Sequence, residues 1–202
     1  GGRLAGTQLR QLYPTMRLAA EVLEDKVGRL DRSGARVLLK TEVGDITGFV
    51  GNFDVALTGS TSERLRVGTI ILATGADLYD PRSVYRYGEL PNVITSQELE
   101  ETFHRDGAAS PGGSTVRSAA FVLCVGSRDP EGFKGCSRYC CPTAIKQAII
   151  LAKQGVDTTV FYRDIRMVST GAEEMYREAR GLGVLFVRMP AGARPEVLGT
   201  GR

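Results

Sequence analysis

Residues 118–165 read SAAFVLCVGSRDPEGFKGCSRYCCPTAIKQAIILAKQGVDTTVFYRDI. The stretch opens on SAAFVLCVG, a small and apolar run with the length and composition of a buried strand ending at Cys124. PTAIKQAIILAKQG then reads as a helix, with Pro142 at or near its first position and Gly155 at its end. DTTVFYRDI is again a strand, GAEEMYREARGLG a helix closed by Gly181 or Gly183, and VLFVRM a third strand. Strand–helix–strand–helix–strand predicts a parallel sheet with right-handed crossovers.

All four cysteines of the chain lie in this stretch, as Cys124, Cys136, Cys140 and Cys141, with the spacing C-x11-C-x3-C-C. Four thiolates suffice for a tetrahedral metal or an iron–sulfur cluster. Three readings stand at this point. A disulfide set is disfavoured because Cys140 and Cys141 are adjacent and pair only through a strained ring. Zinc commonly uses two C-x2-4-C pairs, which the adjacent pair does not supply. A [4Fe–4S] cluster needs four thiolates from a loop that wraps it, and a helix N-terminus after Cys141 adds backbone N–H groups and a dipole favourable to an anion. A nicotinamide site would instead need a glycine-rich turn after the strand. CVGSRD is not G-x-G-x-x-G, and Gly132 and Gly135 follow too loosely. The second unit therefore reads as a dinucleotide-binding fold whose phosphate loop is replaced by a cysteine loop.

Composition bounds the remaining choices. The chain has 202 residues, 42% of them hydrophobic, and a formal net charge of +3. No Lys/Arg block marks a nucleic-acid surface, so no nucleic-acid partner is expected. No apolar run reaches the roughly 18–20 residues of a membrane span. GGRLAGTQLR lacks the apolar core of a signal peptide, and both ends read as abrupt, so the chain is expected to be a fragment. Clustered cysteines with no visible signal fit a reducing, cytoplasmic compartment.

Toward the N-terminus, residues 14–30 carry apolar side chains at helical spacing, with Pro14 and Thr15 at the start and Gly34 beyond the end. ARVLLKTEV is expected as a strand, Thr47–Gly48 and Gly51–Asn52 as turn signals, and FDVALTG as a second strand. VGTIILATG is nearly continuously apolar and is expected as a strand buried on both faces. Between the two halves, prolines and GAASPGGS suggest a linker around a short helix at SQELEETFHR, with Ser96 as N-cap and Glu98 and Glu100 in the first turn.

GGRLAG, the three-strand stretch and ATG together resemble the thioredoxin-reductase-like class of flavoproteins, with two dinucleotide-binding domains and a β-meander. The resemblance implies FAD, with Gly1, Gly2 and Arg3 near its pyrophosphate or ring. It implies Thr41, Glu42 and Val43 near adenine, and Ala73, Thr74 and Gly75 under the cofactor. The G-x-G-x-x-G fingerprint of such a fold would precede Gly1. The expected fold class is α/β, Rossmann-like units with a meander. Its parts are the C-terminal portion of an FAD-binding domain (1–80), a linker with a short helix (81–117) and an incomplete second Rossmann-like domain with the cysteine loop (118–202).

A narrower resemblance rests on longer strings. CVGSRD, CSRYCCPTAIKQAIILAKQG and VFYRDIRMVSTGAEEMYREARGLGVLFVR, with TEVGDITGFVGNF and PNVITSQELE, resemble the HdrA family of heterodisulfide reductases and its quinone-interacting oxidoreductase relatives. That resemblance implies an oxidoreductase subunit in which Cys124, Cys136, Cys140 and Cys141 ligate a [4Fe–4S] cluster beside FAD. It implies Lys146 near the flavin N5, where a cation stabilises the reduced anion; the plainer reading is a solvated helix lysine. It also implies other redox subunits as partners, among them ferredoxin, hydrogenase or quinone-linked subunits, in a homo- or hetero-oligomer. The chain departs from the family in running from LTGSTSERLRVG straight into IILATG, without an inserted ferredoxin-like module, and in lacking cysteines near Pro14–Met16. Competing readings are an NAD(P)H-dependent flavoprotein with structural zinc and a non-catalytic docking domain. His104 is expected to be solvated, and Glu173–Glu174 with Arg177–Arg180 to form an exposed ion-pair face. Asp164 and Arg166 are expected at a strand end facing the cysteine side.

Overall fold

The computed structural model describes residues 2–6, 9–82, 84–107, 116–130, 132–190 and 192–199. It is α/β, and its contacts divide the chain into two compact units. One holds the residues up to Glu24 together with those from Leu78 onward, the other Asp25–Asp77.

In the first unit, α1 (Gly2–Ala5) precedes a minimal hairpin of β1 (Gln11–Leu12) and β2 (Arg17–Leu18). The following helix, α2, runs Ala19–Arg32. It starts later than the apolar spacing predicts, at Ala19 and not Pro14. Gln11 pairs with Leu18 and Leu12 with Arg17, and the Gln11 side-chain amide donates to the Met16 carbonyl at 2.9 Å. The hairpin thus takes the Pro14–Met16 segment as its turn.

The second unit is an antiparallel meander of β3 (Thr41–Phe49), β4 (Asn52–Gly59) and β5 (Arg64–Val67), in that order. Two expected strand segments lie outside it. Residues 35–40 carry no strand because Thr41 already faces Gly59, the last residue of β4. The run beyond Val67 fails for the same reason, since Val67 faces Phe53 near the start of β4. Backbone without a ladder partner has no strand to join. Ile71 and Leu72 are 86% and 82% exposed, so the IILATG segment is not the buried strand its composition suggests.

The remainder of the first unit follows the predicted order closely. Helix α3 (Ser96–Asp106) is capped by Thr95 and not Ser96. Thr95 Oγ1 accepts from the Glu98 amide at 3.2 Å, and Glu98 reaches back to the Thr95 amide at 2.6 Å, a reciprocal capping box. Thr95→Ala is expected to cost about 1 kcal/mol, read from the denaturant midpoint; an unchanged midpoint would remove the box from the account of the helix. β6 (Ser118–Val122), β7 (Asp157–Tyr162) and β8 (Leu185–Arg188) form a parallel sheet in the order β6-β7-β8. α4 (Cys140–Lys153) and α5 (Ala172–Gly181) are its crossovers.

Every residue of α4 from Cys141 to Leu151 is buried. One side packs with Val160, Met175 and Ala179 through Ile145, Ala148 and Ile149. The other, through Ile150 and Leu151, joins Leu99 and Phe103 of α3. A helix apolar nearly all round requires this covering on several sides. α4 therefore leaves little freedom to the two cysteines at its start.

Candidate metal centre

Because β6, β7 and β8 are parallel, the segments following them all emerge at one edge of the sheet, the edge at which open α/β folds place ligands. The loop after β6 carries the cysteines. Its backbone is unusual: Cys124, Arg128 and Arg138 have φ of 64°, 57° and 57°, a region non-glycine residues seldom adopt and that concentrates at functional sites. Gly126, at φ 70°, is required for a second reason. A Cβ there would lie 2.3 Å from Cγ of the Tyr79 ring packed on it.

The fold brings together three of the four predicted ligands. Cys140 and Cys141 open α4, and Cys124 lies just past the end of β6. Hydrogen bonds from the Cys124 and Cys141 thiols draw the Cys140 thiol down to about 2. The same bonds, reinforced by burial, raise Cys124 and Cys141. The downward shift on Cys140 is the direction expected of a cysteine at a helix N-terminus with thiol donors around it. Cys136 lies on the same loop but outside that set, its sulfur accepting the Arg138 amide at 3.3 Å. Among the described residues, no three His, Cys, Asp or Glu side chains are spaced to hold a metal ion as they stand. The donor set has the right chemistry, all thiol and all on one loop and helix start.

Arg128, Asp164 and Arg166 brace the loop. The Arg128 guanidinium pairs with Asp164 and bonds Cys124, and Arg166 Nε reaches Asp164 at 3.0 Å. The Arg128 bond, with the one from Arg166, holds the Asp164 carboxyl below the usual carboxylate range. The Asp164 carbonyl lies 4.0 Å from Cys141 Sγ. Asp164 and Arg166 therefore do stand on the cysteine side of the sheet, as their place at a strand end suggests.

Lys146 is not a solvated helix lysine. It is 2% exposed, and its Nζ lies 2.6 Å from Glu100 Oε1 of α3 and donates to the Gln11 carbonyl at 2.9 Å. Burial draws its pKa down, opposed by the charge and hydrogen bond of Glu100. Gln147 Nε2 donates to Glu100 Oε1 and to the Ser96 carbonyl, both at 2.8 Å. Glu100 Oε2, Thr143 Oγ1 and Gln147 Oε1 are buried around this pair with no protein partner. Buried polar atoms of this kind are ordinarily satisfied by protein or by ordered water.

Neither Glu100 nor Arg128 stands out as a site residue in the sequence. Glu100 passes for a first-turn carboxylate, yet it lies one helical turn before Phe103 on the buried face of α3. That spacing is the one signal the sequence offers. His104 is exposed, and Glu173 meets Arg177 at 3.7 Å on the surface, as expected.

The residues expected near FAD are placed as follows. Gly1 lies outside the described residues. Gly2 (φ 60°) and Arg3 begin α1. Thr41, Glu42 and Val43 open β3 opposite Gly59, Thr58 and Leu57. Ala73, Thr74 and Gly75 are exposed in the irregular segment after β5, with Gly75 at φ 81°.

No protein-family model matches the chain. Curated relatives do. It is 40% identical over 136 residues to the HdrA protein of the H(2):CoB-CoM heterodisulfide,ferredoxin reductase of Methanothermobacter thermautotrophicus, a match covering 61% of this chain and 21% of that protein. It is 40% identical over 139 residues to the HdrA iron-sulfur protein of the CoB--CoM heterodisulfide reductase of Methanocaldococcus jannaschii, covering 62% and 21%. Over about 60% of its length the chain is similar to HdrA proteins of heterodisulfide reductases. A third relative, the HdrA protein of the Ferredoxin:CoB-CoM heterodisulfide reductase of Methanosarcina mazei, is 37% identical over 135 residues, covering 60% and 17%. The chain spans about a fifth of the length of the curated relatives it matches. These HdrA relatives are subunits of oxidoreductases, and the Methanocaldococcus jannaschii protein carries iron–sulfur in its name. Among the described residues of this chain, no helix is long and apolar enough to cross a membrane.

Proposed function

We propose that this chain belongs to an FAD and iron–sulfur electron-transfer subunit of a heterodisulfide-reductase-like oxidoreductase complex. The observation that carries the reading is the convergence of Cys124, Cys140 and Cys141 at the carboxyl edge of the sheet, with Cys136 on the same loop. A [4Fe–4S] cluster held by these four thiolates supplies one-electron transfer. The protein's part is to set its surroundings. The α4 N-terminus provides backbone N–H groups, and Arg128 adds a cation beside Cys124, both favouring an anionic group.

An FAD-binding role for Gly1, Gly2, Arg3, Thr41–Val43 and Ala73–Gly75 rests on the sequence resemblance alone. So does a position for Lys146 near the flavin N5. The unsatisfied buried atoms around Lys146 support that position, because a polar cofactor edge or ordered water would satisfy them. Electrons would pass between FAD and the cluster, then to partners such as a ferredoxin, a hydrogenase or a quinone-linked protein.

Iron, sulfide, zinc and flavin content after purification and reconstitution without oxygen test the reading. About four irons and four sulfides per chain are expected, together with flavin absorbance. Stoichiometric zinc without iron would overturn it.

A further inference from the structure

Beside the cysteine loop, the same sheet edge bears a cleft of about 600 Å³. Arg128, Arg163, Asp164, Arg188, Met189 and Pro190 line it, drawn from the segments that follow or end β6, β7 and β8. Three guanidinium groups face one carboxylate. That carboxylate is already engaged, since Asp164 pairs with both Arg128 and Arg166. Among the described residues, Arg163 and Arg188 have no carboxylate within ion-pair reach. Both are held by main-chain carbonyls instead. Arg163 Nη1 donates to the Arg128 carbonyl at 2.7 Å, and Arg188 Nε donates to the Arg163 carbonyl at 3.2 Å. Each bond uses one of the guanidinium's roughly five donors, fixing the side chain while leaving the others for a ligand.

The surplus of positive charge calls for an anion, and planar guanidinium forks suit tetrahedral oxyanions. The volume is that of a small-molecule site and far exceeds a lone phosphate. Met189 and Pro190 add an apolar wall. We propose that the cleft binds a phosphorylated small molecule, with Arg163 and Arg188 on the phosphoryl oxygens and the organic body against Met189 and Pro190. The absence of a glycine-rich turn is consistent with this: recognition comes from side-chain guanidinium groups and not from backbone amides. The inference depends on neither cluster nor flavin.

Calorimetric titration of the full chain at low salt tests it, with adenosine 5′-monophosphate, inorganic phosphate, adenosine and citrate as probes. The monophosphate should bind, inorganic phosphate more weakly and adenosine not at all. Arg188→Gln, at an exposed position, should weaken the monophosphate about tenfold or more, with an unchanged melting temperature. Arg163→Gln should do the same, and Arg163→Lys should fall between it and the parent. No binding of either phosphate probe would overturn the proposal, as would equal binding by Arg188→Gln. Citrate binding tighter than the monophosphate would overturn the phosphoryl assignment.

Discussion

Lys146→Ala is expected to destabilise the chain by about 3–5 kcal/mol, because it leaves the Glu100 carboxylate buried without its cation. Glu100 is 1% exposed, and among the described residues its Oε1 is met by Lys146 and Gln147. The loss should appear as a large fall in the denaturant midpoint. The double variant Lys146→Met, Glu100→Leu should recover most of it, since replacing both members of a buried pair by apolar groups is often neutral. A single-variant loss under about 1 kcal/mol would mean that the pair behaves as an exposed one. The pair also gives a pH signature. The folded pKa of Lys146 lies below its ordinary 10.5. Between those values the unfolded chain binds the proton more firmly, so this group makes stability rise with pH across that window. The double variant should lose that slope.

Cys140→Ala and Cys141→Ala should each reduce bound iron after anaerobic reconstitution from about four per chain to below about one. The visible absorbance of the cluster should go with it. Cys140 and Cys141 open α4, and Cys141 is 4% exposed, so both are fixed by the packing of that helix. Cys136→Ala tests whether the loop brings in its fourth sulfur; iron retained in full would remove Cys136 from the ligand set. The metal-free chain should react with iodoacetamide at Cys140, and reconstitution should block that reaction. Full iron in Cys140→Ala or Cys141→Ala would sink the assignment of the loop as the cluster site.

The part of the fold most legible in the sequence is residues 118–188. There the periods of strand and helix agree with the turn residues, and each element has a sequential neighbour to pack on. The meander is legible in kind but not in extent. ARVLLK and IILATG have strand composition, yet β4 runs out of pairing positions at Gly59 and Asn52. Composition states that a segment can be a strand, while a hydrogen-bonding neighbour decides whether it is one. The delayed start of α2 has a similar origin, in the pairing of Gln11 with Leu18.

At the candidate site, the spacing of the cysteines already names the donor atoms and the chemistry they suit, because ligand type is a local property of residues. It does not reveal that Cys124, Cys140 and Cys141 meet while Cys136 stands outside their hydrogen-bonded set. Nor does it reveal that Glu100, 46 residues before Lys146, holds the lysine amine. Those facts depend on which elements pack together, and α4 is buried against α3 on one side and the sheet on the other. A carboxylate in a surface turn and one facing a buried amine look the same in sequence. Only packing removes the water from one of them, and that desolvation makes its partner indispensable.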